Sequence, residues 1–131
     1  MPVAAVARTV YIVDADPSVR DGLSRVADSA GLRPKHCRSL DAFLDESPGA
    51  GAACALLDVS TLSRCEPELW ARLRAMAAAI PVIALSARDD PGTQRLARAL
   101  GAQAFFHKPV DAAALLDSID WVTRTDAPGG T

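Results

Sequence analysis

The strongest constraint on the fold of this chain is a regular alternation of short apolar runs with segments of helical periodicity. The strand-like runs cover residues 9–14, 33–37, 53–58, 81–86 and 104–107. After each run, apolar residues recur at the three- and four-residue spacing of an amphipathic helix. Helical crossovers of this length force consecutive strands to pair in parallel, with helices on both faces of the sheet. The sequence therefore predicts an α/β fold with a single doubly wound sheet.

Capping residues mark several of the predicted helix boundaries. Gly31 and Gly101 are expected to end the first and fourth helices. Ser39 is placed to cap a helix over 41–46, and Asp111 to cap the last helix. We therefore predict one domain over 9–123, between an N-terminal extension at 1–8 and a flexible tail or linker at 124–131.

Charge and hydropathy restrict the classes of partner. The formal net charge is −2, and the chain has no basic patch of the kind that binds nucleic acid or anionic membranes. No apolar run approaches the roughly 20 residues that a membrane-spanning helix needs. The N-terminus has no basic leader, and Arg8 interrupts its apolar run, which argues against a secretory signal. We expect a cytoplasmic protein that binds neither nucleic acid nor a membrane directly.

The cysteines and histidines give no sign of a metal centre. Cys37, Cys54 and Cys65 form no CxxC pair and are expected to be buried apolar fillers in a reducing compartment. His36 and His107 have no ligand partners at a suitable spacing. A zinc-type site is therefore not expected.

Polar residues follow four of the predicted strands directly. Asp14 follows the first strand, Asp58 ends the third, Ser86 ends the fourth and Lys108 follows the fifth. The carboxyl ends of parallel strands lie on one rim, where doubly wound sheets bind their ligands, so these side chains should converge. Carboxylate oxygens suit a hard divalent cation, while lysine and a hydroxyl bind phosphoryl oxygens. The pattern predicts a site for a cation and a phosphoryl group.

Four segments resemble the receiver domain of two-component response regulators. They read "VYIVDADPSVRDGL", "ALLDV", "PVIALSA" and "FFHKPVD", and the first is most similar to the nitrogen-fixation-regulator subclass. The resemblance covers roughly 9–123. It implies a flavodoxin-like or CheY-like (βα)5 fold with strand order 2-1-3-4-5, in which the polar run at 33–37 lies at an edge.

The resemblance also implies roles for individual residues. Asp58 would accept a phosphoryl group from a sensor histidine kinase or phosphotransfer protein. Ser86 would hydrogen-bond the phosphoryl oxygen, Lys108 would pair with it, and Phe105 would be the switch aromatic. Mg²⁺ would be the cofactor, and Lys108 would precede a cis proline. Helix 4, strand 5 and helix 5 would form the face for an output partner or a homodimer.

The chain departs from the family pattern around the cation. The family's first strand usually ends in two adjacent acids, of which the second is the direct Mg²⁺ ligand, but here Ala15 follows Asp14. The turn after Asp58 is also altered. Asp14 and Asp58, with the backbone carbonyl of Ser60, would then hold Mg²⁺ weakly, because Mg²⁺ can be bound through one or two carboxylates plus water. We expect weakened phosphorylation.

Alternative roles stay open for several residues. Asp16 precedes a proline, which favours a helix N-cap over a metal ligand. Ser86 has the alternative of a turn cap, and Phe105 that of an ordinary core residue.

Two other functions compete with that of a phosphorylatable receiver. One is a phosphorylation-independent interaction module, favoured by Ala15 and the altered turn. The other is a haloacid-dehalogenase-type phosphatase, in which Asp14 would be the nucleophile and Asp16 the acid and base. That family needs a further acidic pair after the lysine strand, which the sequence does not offer after Lys108. We therefore expect a phosphoacceptor signalling domain, not an enzyme.

Overall fold

The structure is a computed structural model that describes residues 8–46, 52–63 and 65–124. Strands and helices alternate through these residues as predicted, with one additional short 3-10 helix at Val59–Leu62. The strands are β1 (Thr9–Val13), β2 (Arg33–Cys37), β3 (Ala53–Asp58), β4 (Val82–Ser86) and β5 (Ala104–His107). The helices are α1 (Pro17–Ser29), α2 (Leu40–Leu44), α3 (Pro67–Ala79), α4 (Pro91–Leu100) and α5 (Ala112–Arg124).

The five strands form one parallel sheet in the order β2-β1-β3-β4-β5. This order confirms the predicted doubly wound fold and the edge position of β2. In β2 only Cys37 is buried, whereas every residue of β4 is buried. The winding reverses between β1 and β3, so the crevice outside their carboxyl ends is the place where such a fold binds ligands.

Two apolar layers cover the sheet. On one face, alternate residues of the central strands pack with side chains of α2, α3 and α4, among them Phe43, Leu73 and Leu100. On the other face, the intervening residues pack with side chains of α1 and α5, among them Ala27 and Ile119. Because successive strand residues point to opposite faces, strands covered on both sides need continuous apolar runs, as β1, β3 and β4 have.

The helix boundaries follow the capping residues. The side chains of Ser39 and Asp111 accept hydrogen bonds from the backbone N–H groups three residues later, at 3.1 and 2.9 Å. Gly31 and Gly101 have φ values of 76° and 97°, a left-handed conformation that glycine adopts without strain. These four predicted boundaries are confirmed.

The parts of the chain outside the predicted domain are described only at their inner ends. Residues 1–7 of the predicted extension and 125–131 of the predicted tail lie outside the described residues. Arg8 donates hydrogen bonds to Asp120 at 2.8 Å and to Thr123 at 3.1 Å, so it is tied to α5. Arg124 is the last residue of α5. Within the described part of the chain, no helix combines the length and hydropathy of a membrane span.

The cysteines are free thiols with the packing expected of apolar fillers. Cys37 and Cys54 are buried, and Cys65 is partly exposed. Burial raises the pKa of Cys37 to about 11 and that of Cys54 to about 12. Both buried thiols are therefore protonated and unreactive at neutral pH.

Candidate functional site

The sheet brings the predicted polar residues to one rim. Asp14 follows β1, Asp58 is the last residue of β3 and Ser86 the last of β4. Lys108 follows β5, and its backbone N–H donates to the carbonyl of Ser86 at 2.8 Å, which ties the start of that loop to β4. The Lys108–Pro109 peptide bond is cis, as the family resemblance implied.

Lys108 joins the two acids. Its Nζ donates to Oδ2 of Asp14 at 2.8 Å and lies 3.5 Å from Oδ1 of Asp58. Asp14 and Asp58 are buried, with 3% and 8% of their surface exposed. Two buried carboxylates repel each other and lose hydration, and the ammonium offsets part of this cost. The site thus holds two negative charges against one positive charge.

Asp14 is fixed from two sides. Its Oδ1 accepts a hydrogen bond from the backbone N–H of Asp16 at 2.9 Å. Its carbonyl oxygen accepts one from Nη1 of Arg20 at 2.6 Å, across the first turns of α1. The Nε of Arg20 is buried and makes no hydrogen bond within the described structure. Sequence reasoning missed the hydrogen bond to the carbonyl of Asp14, through which Arg20 fixes the backbone at the end of β1.

Asp58 is held by the 3-10 helix that follows it. Ser60 Oγ donates to Oδ2 of the Asp58 carboxylate at 2.5 Å, and Thr61 Oγ1 donates to its backbone carbonyl at 2.7 Å. The sequence prediction used only the carbonyl of Ser60 and missed its hydroxyl. A signal was present only for Thr61, because serine and threonine side chains in turns often hydrogen-bond to nearby backbone groups. The contact of the Ser60 hydroxyl with the carboxylate depends on the 3-10 turn itself.

Ser86 and Asp58 line the same cavity. This cavity of about 440 Å³ is also lined by Ser60, Arg88 and Lys108, and by Thr93 and Leu96 of α4. The hydroxyl oxygen of Ser86 accepts a hydrogen bond from the backbone N–H of Arg88 at 2.9 Å. Ser86 thus acts as the turn cap considered as its alternative role, while its hydroxyl lies at the wall of the cavity that Asp58 also lines.

Phe105 lies on β5 against the core and is partly buried. It lines a second cavity of about 350 Å³ with Gln94, Ala97 and Arg98 of α4. The structure therefore places Phe105 beside α4, the helix that also lines the cavity around Asp58.

Asp16 caps α1, as its position before a proline predicted. Its side chain accepts a hydrogen bond from the backbone N–H of Ser18 at 2.9 Å. Among the described residues, no group of three or more histidine, cysteine or acidic side chains is placed to hold a metal ion. Asp14 and Asp58 bring two buried carboxylates to the rim, and such hard oxygen donors fit a hard divalent cation with few protein ligands.

Comparison with known sequences and structures places this geometry in a family. The sequence profile of the response regulator receiver domain matches residues 10–120. Transcriptional regulatory protein FixJ of Bradyrhizobium diazoefficiens is 30% identical over 119 residues, which are 91% of this chain and 58% of FixJ. Response regulator protein TmoT of Ectopseudomonas mendocina is 34% identical over 110 residues, 84% of this chain and 50% of TmoT. The chain thus spans about half the length of the curated relatives it matches.

Solved structures agree with this assignment. Full-length FixJ from B. japonicum superposes with a TM-score of 0.76 at 30% identity, covering 92% of this chain and 59% of that one. The chemotaxis protein CheY4 of Vibrio cholerae superposes with a TM-score of 0.72 at 20% identity, covering 89% and 99%, which supports the fold alone. The chain belongs to the response regulator receiver domain family, in its FixJ-like subclass.

Proposed function

We propose that this receiver domain accepts a phosphoryl group on Asp58 from the phosphohistidine of a sensor histidine kinase or phosphotransfer protein. The observation that carries the proposal is the double contact of Lys108 Nζ, 2.8 Å from Asp14 and 3.5 Å from Asp58, at the wall of a cavity shared with Ser86. A lysine between two buried acids beside a cavity offers an ammonium to an incoming phosphoryl group, with a cation needed to offset the charge of the acids.

The chemistry is a phosphoryl transfer between two nucleophiles. One carboxylate oxygen of Asp58 attacks phosphorus and the P–N bond to the imidazole breaks. The departing nitrogen keeps the electron pair, and the ring, protonated on its other nitrogen, leaves as neutral imidazole. Lys108 lowers the repulsion between the attacking carboxylate and the phosphoryl oxygens. The Ser86 hydroxyl donates to a phosphoryl oxygen of the product.

Asp14, Asp58 and the carbonyl of Ser60 would hold Mg²⁺. When bound, the cation would neutralise charge on the phosphoryl oxygens. Because Ala15 supplies no carboxylate, we expect weak binding and slow phosphorylation. Asp16 adds little to this set while its carboxylate caps α1.

The test is phosphorylation of the full chain by acetyl phosphate with Mg²⁺, followed by intact-mass and peptide mass spectrometry. We expect a single phosphoryl adduct on Asp58 that is lost in Asp58→Asn. The matched control is Asp16→Asn, which removes a nearby acid and should keep the adduct. The proposal would be contradicted if no phosphoryl adduct formed under these conditions and beryllofluoride left the ¹H–¹⁵N correlation spectrum of the protein unchanged.

The competing functions have less support. The comparisons do not favour the phosphorylation-independent module, since the relatives found are response regulators. A phosphatase would need Asp16 as an acid and base. The Asp16 carboxylate instead accepts a hydrogen bond from the backbone N–H of Ser18, at the start of α1.

We further propose the partners that such a domain requires. The kinase and this domain would meet in the cytoplasm. The signal would leave through the face formed by α4, β5 and α5, either to an output partner or to a second copy of the domain. Trp121 on this last helix supports the assignment, because it is a large apolar side chain with 68% of its surface exposed. Domain limits of 9–123 are part of the proposal.

A further inference from the structure

The two oxygens of the Asp58 carboxylate have different partners. Oδ1 lies 3.5 Å from the ammonium of Lys108, whereas Oδ2 accepts the hydroxyl proton of Ser60 at 2.5 Å. The carboxylate is buried, so each of these partners replaces water that a surface acid would keep. The acceptor acid is therefore held in one orientation before any phosphoryl group arrives.

The backbone of the 3-10 helix keeps the Ser60 hydroxyl in this place. Thr61 Oγ1 donates to the carbonyl of Asp58 at 2.7 Å, and the N–H of Ser63 donates to the carbonyl of Ser60 at 3.2 Å. Both contacts close the turn around Ser60. Its hydroxyl is thus part of a small hydrogen-bonded structure and not a freely rotating surface group.

We propose that the Ser60 hydroxyl competes with a divalent cation for the carboxylate of Asp58. This inference rests on the proposed function, because it concerns the cation site of the same acid. It assigns to the Ser60 side chain a role opposite to that proposed for its carbonyl: the carbonyl would be a ligand, while the hydroxyl occupies Oδ2 of Asp58, an oxygen that the cation would otherwise use.

The other oxygens at the rim explain why this competition matters. Oδ1 of Asp14 accepts the N–H of Asp16 and Oδ2 accepts the ammonium of Lys108. Mg²⁺ requires oxygen ligands at about 2.0–2.1 Å in octahedral geometry, which excludes a hydroxyl proton along the same direction. With alanine at position 15, no carboxylate there replaces a lost ligand. Each oxygen of Asp58 therefore has a large share in the affinity.

The decisive measurement is Mg²⁺ binding to the unphosphorylated full chain by isothermal titration calorimetry. A hydrogen bond of ordinary net strength corresponds to an equilibrium change of about threefold to tenfold. We therefore expect Ser60→Ala to lower the Kd for Mg²⁺ by about that factor. Ser60→Thr keeps the hydroxyl and should bind as the wild type does. A merely structural role of Ser60 predicts weaker binding in Ser60→Ala, so the direction of the change is diagnostic.

Ser63→Ala is the matched control. Ser63 lines the same cavity and lies at the end of the same 3-10 helix, and it is exposed. The Kd of the Ser63→Ala variant for Mg²⁺ should equal that of the wild type. The same series is measured in an Ala15→Asp background, where restoration of the second acid should bring the affinity into an easily measured range.

The outcomes separate this inference from the proposed function. An unchanged or higher Kd for Ser60→Ala in both backgrounds would overturn the competition, even if Asp58 is phosphorylated by acetyl phosphate. A lower Kd would support it, even if no phosphoryl adduct forms, because the titration contains no phosphodonor.

Discussion

At the scale of single residues, the charge balance of the site is its most unusual property. Asp14 and Asp58 face one ammonium, that of Lys108, and Ala15 stands where the family has a second adjacent acid. The remaining negative charge attracts a divalent cation less strongly than three carboxylates would. Ala15 is exposed, so a longer side chain can be accommodated at this position without repacking the core.

We expect Ala15→Asp to increase the initial rate of phosphorylation by acetyl phosphate at limiting Mg²⁺. The physical reason is the added carboxylate ligand, and the magnitude should approach ~10²-fold, by analogy with the loss of one charge-stabilising group in other active sites. Rates are measured from the fraction of phosphorylated protein by intact-mass spectrometry.

Ala15→Asn is the control for size and polarity, since it adds a similar side chain without the charge. Its rate should stay close to that of the wild type. Equal acceleration by the aspartate and the asparagine, or by neither, would show that charge at this position does not limit the reaction.

At the scale of elements, the start of α4 is organised by one aspartate. Asp90 is the N-cap of α4, and its carboxylate accepts hydrogen bonds from the backbone N–H of Thr93 at 3.2 Å and from its hydroxyl at 2.7 Å. Hydrogen bonds from the Thr93 hydroxyl and N–H, with a smaller contribution from Arg88, lower the pKa of Asp90 to about 2. Arg88 and Thr93 also line the cavity around Asp58, so this cap shapes one wall of the site.

The depressed pKa predicts how the stability of the domain depends on pH. The pKa of Asp90 is near 3.8 in the unfolded chain and about 2 in the folded one, so the unfolded chain binds this proton more readily. Its contribution is therefore fully present above pH 3.8 and is lost as the pH falls towards 2. We expect the urea midpoint of the wild type to exceed that of Asp90→Asn at neutral pH. This difference should shrink as the pH falls from 3.8 towards 2.

Thr93→Val tests the cause of that pH dependence. It removes the hydroxyl donor but keeps the backbone N–H, so the pKa of Asp90 should move back towards its usual value. In the Thr93→Val background, the difference in urea midpoint between the proteins with aspartate and with asparagine at position 90 should therefore change less with pH. If the urea-midpoint difference changed with pH equally in the Thr93 and Thr93→Val backgrounds, the Thr93 hydroxyl would not lower the pKa of Asp90.

The limits of sequence reasoning also appear at this scale. The strands and the caps at Asp16, Ser39 and Asp111 were predictable because each depends on local periodicity or on a residue with one dominant preference, whereas the strand order came from the family resemblance. The 3-10 helix after Asp58 was not, since a run such as "VSTL" has no distinctive periodicity over four residues. The contact between Ser60 and Asp58 depends on that turn and was missed with it.

At the scale of the whole molecule, the convergence of Asp14, Asp58 and Lys108 was predictable because of topology. Asp14 and Lys108 are 94 positions apart, yet parallel strands must deliver their carboxyl ends to one rim. Long-range contacts outside that rule were not predictable. The ties from Arg8 to Asp120 and Thr123 join the segment before β1 to α5, and sequence reasoning had placed Arg8 in an extension outside the domain.

The same topology suggests how a signal crosses the domain. Thr93 and Leu96 of α4 line the cavity at Asp58, while Gln94 and Ala97 of the same helix line the cavity at Phe105. This helix is a common wall between the two cavities. A shift of its N-terminal end at the cavity around Asp58 would therefore change the surroundings of Phe105.

Under the proposed function, Ser86 would connect a phosphoryl group on Asp58 to that wall. Its hydroxyl oxygen now accepts the N–H of Arg88, just before α4. Turning the hydroxyl towards a phosphoryl group on Asp58 gives up a neutral hydrogen bond worth about 1 kcal/mol and gains one to a charged group worth about 1.5–3 kcal/mol. The exchange favours the turned state by roughly 0.5–2 kcal/mol, a shift in population of about 2- to 30-fold.

We therefore expect Ser86→Ala to separate the chemistry from the response. With Mg²⁺ and beryllofluoride, the backbone amide resonances of α4 and of Phe105 should shift in the wild type and shift much less in Ser86→Ala. Resonances next to Asp58 should respond in both proteins, because the ligand still binds, and Asp58→Asn should abolish both responses. The measurement is a ¹H–¹⁵N correlation spectrum of each protein with and without the analogue. Full retention of the Phe105 shifts in Ser86→Ala would show that the response reaches α4 without this hydroxyl, for example through Lys108 and the loop after β5.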